Sequence, residues 1–360
     1  KKKKLQLKTL TVFLEDKSKE KECKQGIKFG SLIADKVNDS RTIANQPSNT
    51  ATPTYMANFI KEAAKNETAL NVKVLNEKQM AQKGMGGVLG VSKGSDEEAT
   101  FVIIEYFGAE DQTEAPYVIV GKGVTFDTGG ISLKPGQSMD EMKFDMCGAA
   151  AALGTIRSAA ALGVKLNIVA LLPFSENMPG GRATKPGDVL VAMDGSTIEV
   201  MNTDAEGRLL LADALVYARD YTPKAVLNFS TLTGACSVAL NTYAPGMFTK
   251  EDEMAAQLSE ACVHTGDTVW RMPLPDEFKE LMKSKVADIS NLASTRYGGA
   301  ITAAIFLQHF VDKKYPWTHL DIAGVAWENS GKKHLAPGAT GAGIRTLVEW
   351  LRTMAEQEQA

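Results

Sequence analysis

The sequence predicts an α/β fold in which helices flank a largely parallel, doubly wound sheet. Candidate strands alternate with helical segments along the chain, and most of these strands are continuous apolar runs, as expected where both faces of a sheet are buried. We find no internal repeat and no linker rich in proline or serine. Residues 29–360 are therefore predicted to form one large domain, and residues 1–28 a short basic segment that we interpret as the remnant of an N-terminal domain.

The strands are predicted from short apolar runs that are bounded by turn residues. In chain order they are Leu70–Leu75, Thr100–Tyr106, Tyr117–Val120, Leu166–Pro173, Ala225–Ser230 and His319–Val325. A hairpin is predicted where Val189–Ala192 and Thr197–Met201 flank the turn residues Asp194 and Gly195. The apolar run Leu10–Leu14 indicates one further strand without a partner of its own.

The helices are predicted from apolar residues that recur every three or four positions. The first spans Gly26 to Ile43, and a second begins at Thr52 and Pro53, a capping residue followed by proline at the first helical position. The later ones are Asp145–Ala161, Glu206–Arg219, Glu251–His264, Asp276–Val286, Ala300–Val311 and Arg345–Glu356.

Composition and charge exclude several classes of protein. The chain has 360 residues, of which 44% are apolar and 23% charged, a balance that excludes a disordered chain. Its net charge is −3, so nucleic acid is not an expected partner, and no apolar run is long enough for a membrane helix. Four scattered cysteines do not form a disulfide framework, which favours a reducing compartment and a cytoplasmic location.

Several apparent matches to known motifs lack the secondary structure or the spacing that those motifs require. Gly90–Gly94 spells the G-x-S-x-G nucleophile elbow, but it follows a glycine-rich segment that we predict to be a loop instead of a strand. The same segment has no phosphate-binding pattern. The four histidines lack zinc-site spacing and are interpreted as surface and core-edge imidazoles; they are His264, His309, His319 and His334. Cys147 is interpreted as a small buried thiol.

Acidic residues in three segments occur where a purely structural role does not readily explain them. Asp127 lies among glycines after a buried strand that carries Lys122, and Asp145 opens a helix of small residues. Asp204 and Glu206 follow the hairpin. An ordinary ion pair between Lys122 and Asp127 and helix capping by Asp204 or Glu206 remain open alternatives. Strand ends in doubly wound sheets are where ligands bind, so we expect the three segments to converge there.

Four converging carboxylates cannot all stay ionised without compensating positive charge. Two divalent cations would supply it, leaving a nearly neutral site. Two-metal sites of this kind generate a hydroxide near neutral pH and are found in aminopeptidases and phosphatases. The acids therefore predict a dinuclear metal centre.

The motifs resemble those of the cytosolic leucine aminopeptidase family. Asn202–Leu209 matches the family signature, and the remaining motifs follow in the family's order: Val120–Asp127, Asp145–Ala150, Glu176–Gly180, Ala183–Asp188, Thr231–Ala235 and His319–Gly324. The resemblance covers about residues 30–355 and looks strongest to bacterial leucyl aminopeptidase, also called aminopeptidase A. It implies a metal-dependent exopeptidase that acts through a hydroxide bridging two metal ions.

The resemblance also implies roles for individual residues. Asp127 and Glu206 would bridge the two metal ions, Lys122 and Asp145 would complete one shell, and Asp204 the other. The metals would be Mn²⁺ or Zn²⁺, or else Mg²⁺ or Co²⁺, and Lys122 would need a lowered pKa to bind as a neutral amine. Lys134 would polarise the scissile carbonyl.

A bicarbonate ion is the family's general base, and Arg208 would hold it together with Ala205, Gly207 and Leu232. The substrate pocket, with a preference for leucine or methionine, would be lined by Met142, Thr231, Gly234, Ala323 and Ala326, and Asn202 would also bind the substrate. The expected partners are peptides with a free N-terminus, and the expected assembly is a homohexamer. Two other functions remain open: a non-catalytic scaffold or nucleic-acid-binding protein, and a two-metal phosphoesterase.

Overall fold

The computed structural model describes residues 9–330 and 335–359. Its α-helices are α1 (Glu20–Ala44), α2 (Pro53–Asn66), α3 (Glu77–Gln82), α4 (Gly86–Ser92), α5 (Cys147–Leu162), α6 (Gly207–Ala218), α7 (Gly234–Leu240), α8 (Asp252–Thr265), α9 (Gly299–His309) and α10 (Ile344–Glu358). Short 3-10 helices span Lys17–Lys19, Met139–Phe144, Arg219–Tyr221 and Asp276–Met282.

The strands are β1 (Leu70–Leu75), β2 (Thr100–Phe107), β3 (Tyr117–Gly121), β4 (Gly123–Asp127), β5 (Asn167–Asn177), β6 (Val189–Val191), β7 (Thr197–Glu199), β8 (Ala225–Ser230), β9 (Gly246–Phe248), β10 (Trp270–Arg271), β11 (Ile289–Ser290), β12 (Trp317–Asp321), β13 (Trp327–Glu328) and β14 (Gly338–Ala339). None of the helices in the two described ranges is both long and apolar enough to cross a membrane.

A nine-stranded sheet runs through the molecule in the order β1-β2-β5-β3-β8-β12-β9-β10, and β4 pairs with the second half of β5. Its central pairs are parallel: β5 with β3, β3 with β8, and β8 with β12. Strands β1 and β2 add an antiparallel edge, and β9 is antiparallel to β12. The predicted α/β class with a largely parallel sheet is confirmed.

Two hydrophobic layers cover the two faces of this sheet. Along β3 the side chains alternate: Ile119 packs towards α1, α5, α8 and α10, whereas Val118 and Val120 pack towards α4, α6 and α9. From β3 the chain crosses to β5 on one side and later to β8 on the other. The carboxyl ends of β3 and β8 therefore border a topological switch point, where such sheets bind ligands.

Most predicted strands are confirmed, with shifts at their ends. The strand predicted at Leu166–Pro173 continues to Asn177 because its second half pairs with β4. The strand predicted at His319–Val325 ends at Asp321, whose carboxylate accepts the N–H of Ala323 and turns the chain. The hairpin of β6 and β7 is confirmed.

One predicted strand and one predicted helix are wrong. Leu10–Leu14 forms no strand in the described part of the chain; it is exposed and has no neighbour with which to pair. The helix predicted at Asp276–Val286 is a 3-10 helix that stops at Met282. It stops because the hydroxyl of Ser284 accepts the N–H groups of Val286 and Ala287 in place of helical carbonyls.

The prediction that the glycine-rich segment before Gly94 is a loop is also wrong, because this segment forms helix α4. Its glycines serve close packing: a β-carbon on Gly86 would lie 2.1 Å from the carbonyl oxygen of Val191. Ser92 lies at the end of this helix and donates its hydroxyl to Glu77. The element directly before α4 is helix α3 and not a strand, so the arrangement of a nucleophile elbow is absent here.

The division at residue 28 stays a prediction, and helix α1 runs through it without a break. The four histidines were interpreted as surface or core-edge residues. This interpretation is wrong for His319, which is fully buried, whereas His264 is exposed. His334 lies outside the described residues. Cys147 is buried and carries a free thiol, as predicted.

Candidate metal centre

The predicted site residues meet at the carboxyl edge of the central strands. Lys122 follows β3 directly, Asp127 is the last residue of β4, and Thr231 follows β8. Asp145 precedes α5, and Glu206 lies at the N-terminus of α6. Residues up to 109 positions apart in sequence, Lys122 and Thr231, thus share one buried site.

Lys122 lies at the centre of one half of the site. This residue is 2% exposed, and its Nζ is 2.8 Å from Asp145 Oδ2 and 2.8 Å from Glu206 Oε1. It also donates a hydrogen bond of 3.0 Å to the carbonyl oxygen of Thr231. The alternative of an ordinary ion pair with Asp127 is not what the structure shows, because the close partners are two other carboxylates.

Gly207 gives the Lys122 side chain its space. A β-carbon at this position would lie 2.5 Å from Lys122 Cε and 2.7 Å from its Nζ. Any larger residue would therefore push the amine away from Glu206. This close approach explains why a glycine stands at the start of a helix that packs against the site.

Lys134 lies in the other half of the site, with its Nζ 2.8 Å from Asp127 Oδ2 and in contact with Asp204 Oδ1. Oxygen atoms of Asp127, Asp204 and Glu206 all lie within 4.8 Å of one another, close enough to bind one cation. Four carboxylates thus face two ammonium groups, and the site keeps an excess of two negative charges.

In two of these carboxylates, one of the two oxygens accepts hydrogen bonds from neighbouring groups. Asp127 Oδ1 accepts hydrogen bonds from the backbone N–H of Gly129 at 2.9 Å and from the Asn177 amide at 2.8 Å. Asp145 Oδ1 accepts the Thr231 hydroxyl at 2.7 Å. The second oxygen of each carboxylate faces the lysines instead. Such contacts orient carboxylates in the way that metal sites require.

Helix capping does not account for the acids. Glu206 precedes α6 but its side chain accepts no hydrogen bond from the first turn, and Asp145 does not cap α5. Glu206 Oε2 is buried and has no hydrogen-bond partner among the described residues. A buried carboxylate oxygen without a partner is costly, and a bound cation would satisfy it.

The electrostatics of the site favour additional positive charge. Burial and the neighbouring Glu206 raise the pKa of Asp127, and burial raises the pKa of Asp145 well above its ordinary value despite the nearby Lys122. Burial alone would lower the pKa of Lys122, but the surrounding carboxylates outweigh burial and raise it. The lowered pKa that the resemblance implies for Lys122 therefore requires the charge of a metal ion.

Arg208 lies in the first turn of α6, where it is 7% exposed. Its Nη1 donates to the carbonyl oxygen of Asn291 at 2.7 Å, and its guanidinium lies over the ring of Phe306. Nε is buried without a hydrogen-bond partner in the described structure. Burial lowers the pKa of Arg208 to about 10, so it remains a cation at neutral pH, and its Nε donor is left for an anion.

Comparisons with known proteins agree with this geometry. Residues 38–348 match the model of the cytosol aminopeptidase family, catalytic domain. The chain belongs to this family. The probable cytosol aminopeptidase of Burkholderia ambifaria is 49% identical over 96% of this chain and 67% of its own length. That of Saccharophagus degradans is 50% identical over 94% of this chain and 67% of its own.

A solved structure supports the same assignment. The bottromycin maturation enzyme BotP in complex with Mn superposes with a TM-score of 0.88 at 38% identity, over 92% of this chain and 72% of that one. Membership of the cytosol aminopeptidase family identifies this chain as a metal-dependent aminopeptidase domain. The chain spans about two thirds of the length of the relatives it matches.

The residues present fit the metal ions that this family requires. Three carboxylate groups converge within 4.8 Å, a fourth shares Lys122 with Glu206, and Glu206 Oε2 lacks a partner in the described structure. Oxygen donors together with one amine suit Mn²⁺, Mg²⁺, Co²⁺ or Zn²⁺. Any of these ions would offset the excess negative charge.

The residues expected to hold bicarbonate or substrate are placed around this centre. Ala205 and Gly207 flank Glu206, and the Leu232 N–H donates to Asp321. Asn202 accepts the N–H of Asp204 with its side chain. Met142 lies in the 3-10 helix before Asp145.

The expected pocket residues differ in exposure. Gly234 borders open space at the start of α7, and Ala323 is 9% exposed. Ala326, in contrast, is only 1% exposed and packs in the core beside Cys147, where it borders a cavity of about 10 Å³. Thr231 donates its hydroxyl to the Asp145 carboxylate, a contact that the expected pocket role did not include.

Sequence reasoning gave no role to two buried asparagines that the structure brings to the site. Asn177 binds Asp127, and Asn291 binds the backbone of Met201 and Asn202 through its side chain. Asn177 stands in a family motif, which was a usable signal. Asn291 lies outside every motif we recognised, and its 89-residue separation from Asn202 leaves no local pattern to detect.

Proposed function

We propose that this chain removes the N-terminal residue from peptides, with a preference for apolar residues such as leucine and methionine, in a reaction that needs two divalent metal ions and bicarbonate. The observation that carries the proposal is the cluster of four carboxylates, three of them buried and Asp204 partly exposed, with Lys122 and beside Lys134 and Arg208. The Mn complex of BotP supports Mn²⁺ as the first metal to test.

The carboxylates would hold the metal ions in a defined arrangement. Asp127 and Glu206 would bridge both ions, with Lys122 and Asp145 on one and Asp204 on the other. Bound there, divalent ions supply Lewis acidity that polarises the peptide carbonyl and lowers the pKa of water. Asn177 and Thr231 hold the outer oxygens of Asp127 and Asp145, and this keeps their inner oxygens directed to the site.

Lys134 and Arg208 would act on the reacting groups. Burial alone would lower the pKa of Lys134, but Asp127 and Glu206 outweigh it and raise the pKa, so Lys134 is a cation at neutral pH. It can donate to the carbonyl oxygen as negative charge develops there. Arg208 has a free Nε donor that would hold bicarbonate, and this ion would supply a general base beside the metal centre.

The substrate's free amine and first side chain would be bound next to this centre. The free α-amine of the substrate would be held at one of the metal ions, and the requirement for a free amine favours an exopeptidase over an endopeptidase. Met142, Thr231, Gly234 and Ala323 would form the cup for the side chain, with Ala326 behind it. Asn202 would contact the substrate backbone.

The test is hydrolysis of leucine p-nitroanilide by the purified chain. We expect activity that EDTA abolishes and Mn²⁺ or Zn²⁺ restores, and a rate that depends on added bicarbonate. A set of p-nitroanilides with different first residues measures the preference for leucine and methionine. Undiminished hydrolysis in EDTA would contradict the proposal, and turnover of p-nitrophenyl phosphate in parallel would indicate a phosphoesterase.

Assembly and location belong to the same proposal. We propose a homohexamer in the cytoplasm, in keeping with the word cytosol in the names of the relatives. Light scattering coupled to size-exclusion chromatography measures the assembly directly. A monomer that retains full activity would separate the catalytic proposal from the hexamer.

A further inference from the structure

Asn177 is the last residue of β5, and its side chain lies behind the metal centre. It is only 4% exposed, and its backbone carbonyl accepts hydrogen bonds from the N–H and the hydroxyl of Thr128. These backbone bonds fix the end of β5 against the loop that follows Asp127. The Asn177 side chain therefore projects from a rigid position.

The amide of Asn177 joins two segments of the site. Its Nδ2 donates to Asp127 Oδ1 at 2.8 Å and to the carbonyl oxygen of Thr203 at 3.0 Å. Both partners are acceptors, so only the nitrogen of the amide can face them. One amide hydrogen thus binds Asp127, a proposed metal ligand. The other binds Thr203, which directly precedes Asp204, a second proposed ligand.

Without this amide both contacts would be lost together. Asp127 Oδ1 would keep only the Gly129 N–H, and Asp127 Oδ2 its contact with Lys134, so the carboxylate would be held less firmly in its present orientation. The Thr203 carbonyl would be buried without its amide donor, which favours movement of the loop that carries Asp204 and Glu206. Orientation of carboxylate ligands by such outer contacts commonly contributes about 10–100-fold to metal affinity.

We propose that Asn177 is a positioning residue that holds Asp127 and the Asp204 loop in the geometry that binds metal. This inference deepens the proposed function and rests on it only for the presence of a metal site. Asn177 touches neither the substrate nor the reacting atoms in this scheme. Its effect is exerted through the orientation of Asp127 and the position of Thr203.

The test measures the affinity of the full chain for Mn²⁺ alone, from the electron paramagnetic resonance signal of free Mn²⁺ during a titration. Asn177→Ala removes the amide, and Asn177→Leu removes its hydrogen bonds but keeps the branched shape of the side chain. We expect both variants to bind Mn²⁺ about 10–100-fold more weakly than the wild type. Circular dichroism and Tm measured without metal report on the fold.

The chain contains a matched control at the opposite end of the same strand. Asn167 is 2% exposed, begins β5, and also donates two amide hydrogen bonds to backbone carbonyls, those of Asp111 and Glu114. Asn167→Ala removes the same kind of contacts far from the site. We expect it to lower Tm but to leave the affinity for Mn²⁺ within about twofold of the wild type.

Several results would overturn the inference. Wild-type affinity in either folded Asn177 variant would do so, as would an equal loss of affinity in Asn167→Ala. Failure of both Asn177 variants to fold would assign the residue to the fold instead of the site, and absence of Mn²⁺ binding by the wild type would remove the premise. A wild type that binds Mn²⁺ but hydrolyses no peptide would contradict the proposed function alone.

Discussion

At the scale of single residues, Lys122 and Lys134 differ in what surrounds them. Lys122 is 2% exposed and is enclosed by Asp145, Glu206 and a backbone carbonyl, whereas Lys134 lies on a loop and retains access to solvent. Enclosure suits a ligand that never leaves the site. Partial exposure suits a group that must meet an incoming substrate.

We expect Lys134→Ala to lower kcat for leucine p-nitroanilide by about 10²–10³, since a donor to the developing oxyanion is lost. KM should change much less because the contact strengthens only in the transition state. Steady-state kinetics at saturating Mn²⁺ measures both constants. Lys185→Ala, which removes a surface lysine paired with Asp188, is the control and should retain wild-type kinetics. Unchanged kcat in Lys134→Ala would rule out this role.

His319 predicts how stability depends on pH. It is fully buried on β12, where the Asn228 amide donates to its Nδ1, and burial lowers its pKa to about 3 from about 6.5 in an unfolded chain. The neutral form is therefore favoured by the fold. This contribution to stability is complete above pH 6.5 and is lost as the pH falls towards 3.

Urea unfolding between pH 7 and pH 5 measures this loss. We expect His319 to account for a decrease of about 1.4 kcal/mol per pH unit below pH 6.5, and His319→Phe to lack that part of the slope. The exposed His264, changed to Gln, should keep the wild-type slope. Parallel curves for the wild type and His319→Phe would contradict the assignment.

The candidate acids were predictable at this scale because several stand close together with glycines and basic residues in recognisable motifs. The contacts of Asn177 and Asn291 were not predictable, although Asn177 stands in a family motif. Each asparagine makes its decisive hydrogen bonds to residues between 26 and 90 positions away, and its residue type alone does not distinguish a turn residue from a buried donor.

At the scale of elements, helix α6 brings three features of the site together. Glu206 precedes it, Gly207 begins it, and Arg208 follows within the first turn. A rigid helix thus fixes the spacing between a proposed metal ligand and the proposed anion-binding arginine. The glycine between them permits the helix to approach Lys122.

Gly207→Ala tests this approach. Its β-carbon would displace the Lys122 side chain from Glu206, so we expect weaker binding of Mn²⁺ and at least a tenfold loss of kcat/KM, even though alanine favours a helix. Gly181→Ala is the control, because a β-carbon there meets nothing within 4 Å. Mn²⁺ titration and kinetics measure the effect, and wild-type values for Gly207→Ala would show that Lys122 is not held in this way.

The element predictions failed where tertiary contacts outweighed local preference. Four glycines between residues 84 and 90 indicate a loop by propensity, yet close packing of Gly86 against β6 allows a helix there. The helix predicted beyond Met282 was ended by side-chain hydrogen bonds of Ser284. Neither contact can be read from a hydrophobic period.

At the scale of the whole molecule, metal binding is expected to be coupled to folding. The four carboxylates lie on three separate segments, so a cation bound among them binds the folded chain far better than the unfolded one. We expect Mn²⁺ at 100 times its dissociation constant to stabilise the fold by about 2.7 kcal/mol, and EDTA to reverse the rise in Tm. Calorimetry with and without Mn²⁺ measures this, and an unchanged Tm would argue against binding between the segments.

A truncation tests the assignment of the basic N-terminal segment. Residues 9–16 are exposed, and the helical part of this segment begins only at Lys17. We expect removal of residues 1–16 to leave Tm and the hydrolysis of leucine p-nitroanilide unchanged. Removal of residues 1–28 also deletes the first part of α1 and should lower Tm. Loss of activity in the shorter truncation would place part of the catalytic unit before residue 17.

The sequence by itself determined the α/β class, the order of most strands and helices, and the residue types of the proposed metal and catalytic groups. These follow from local periodicity and from short motifs, which are properties of neighbouring residues. Only the tertiary structure decided which oxygen of each carboxylate faces the lysines, that Gly207 makes space for Lys122, and that Asn177 joins two distant segments. Those features depend on contacts between residues that are dozens of positions apart in the sequence. The fold, and not the local sequence, decides which of these atoms meet.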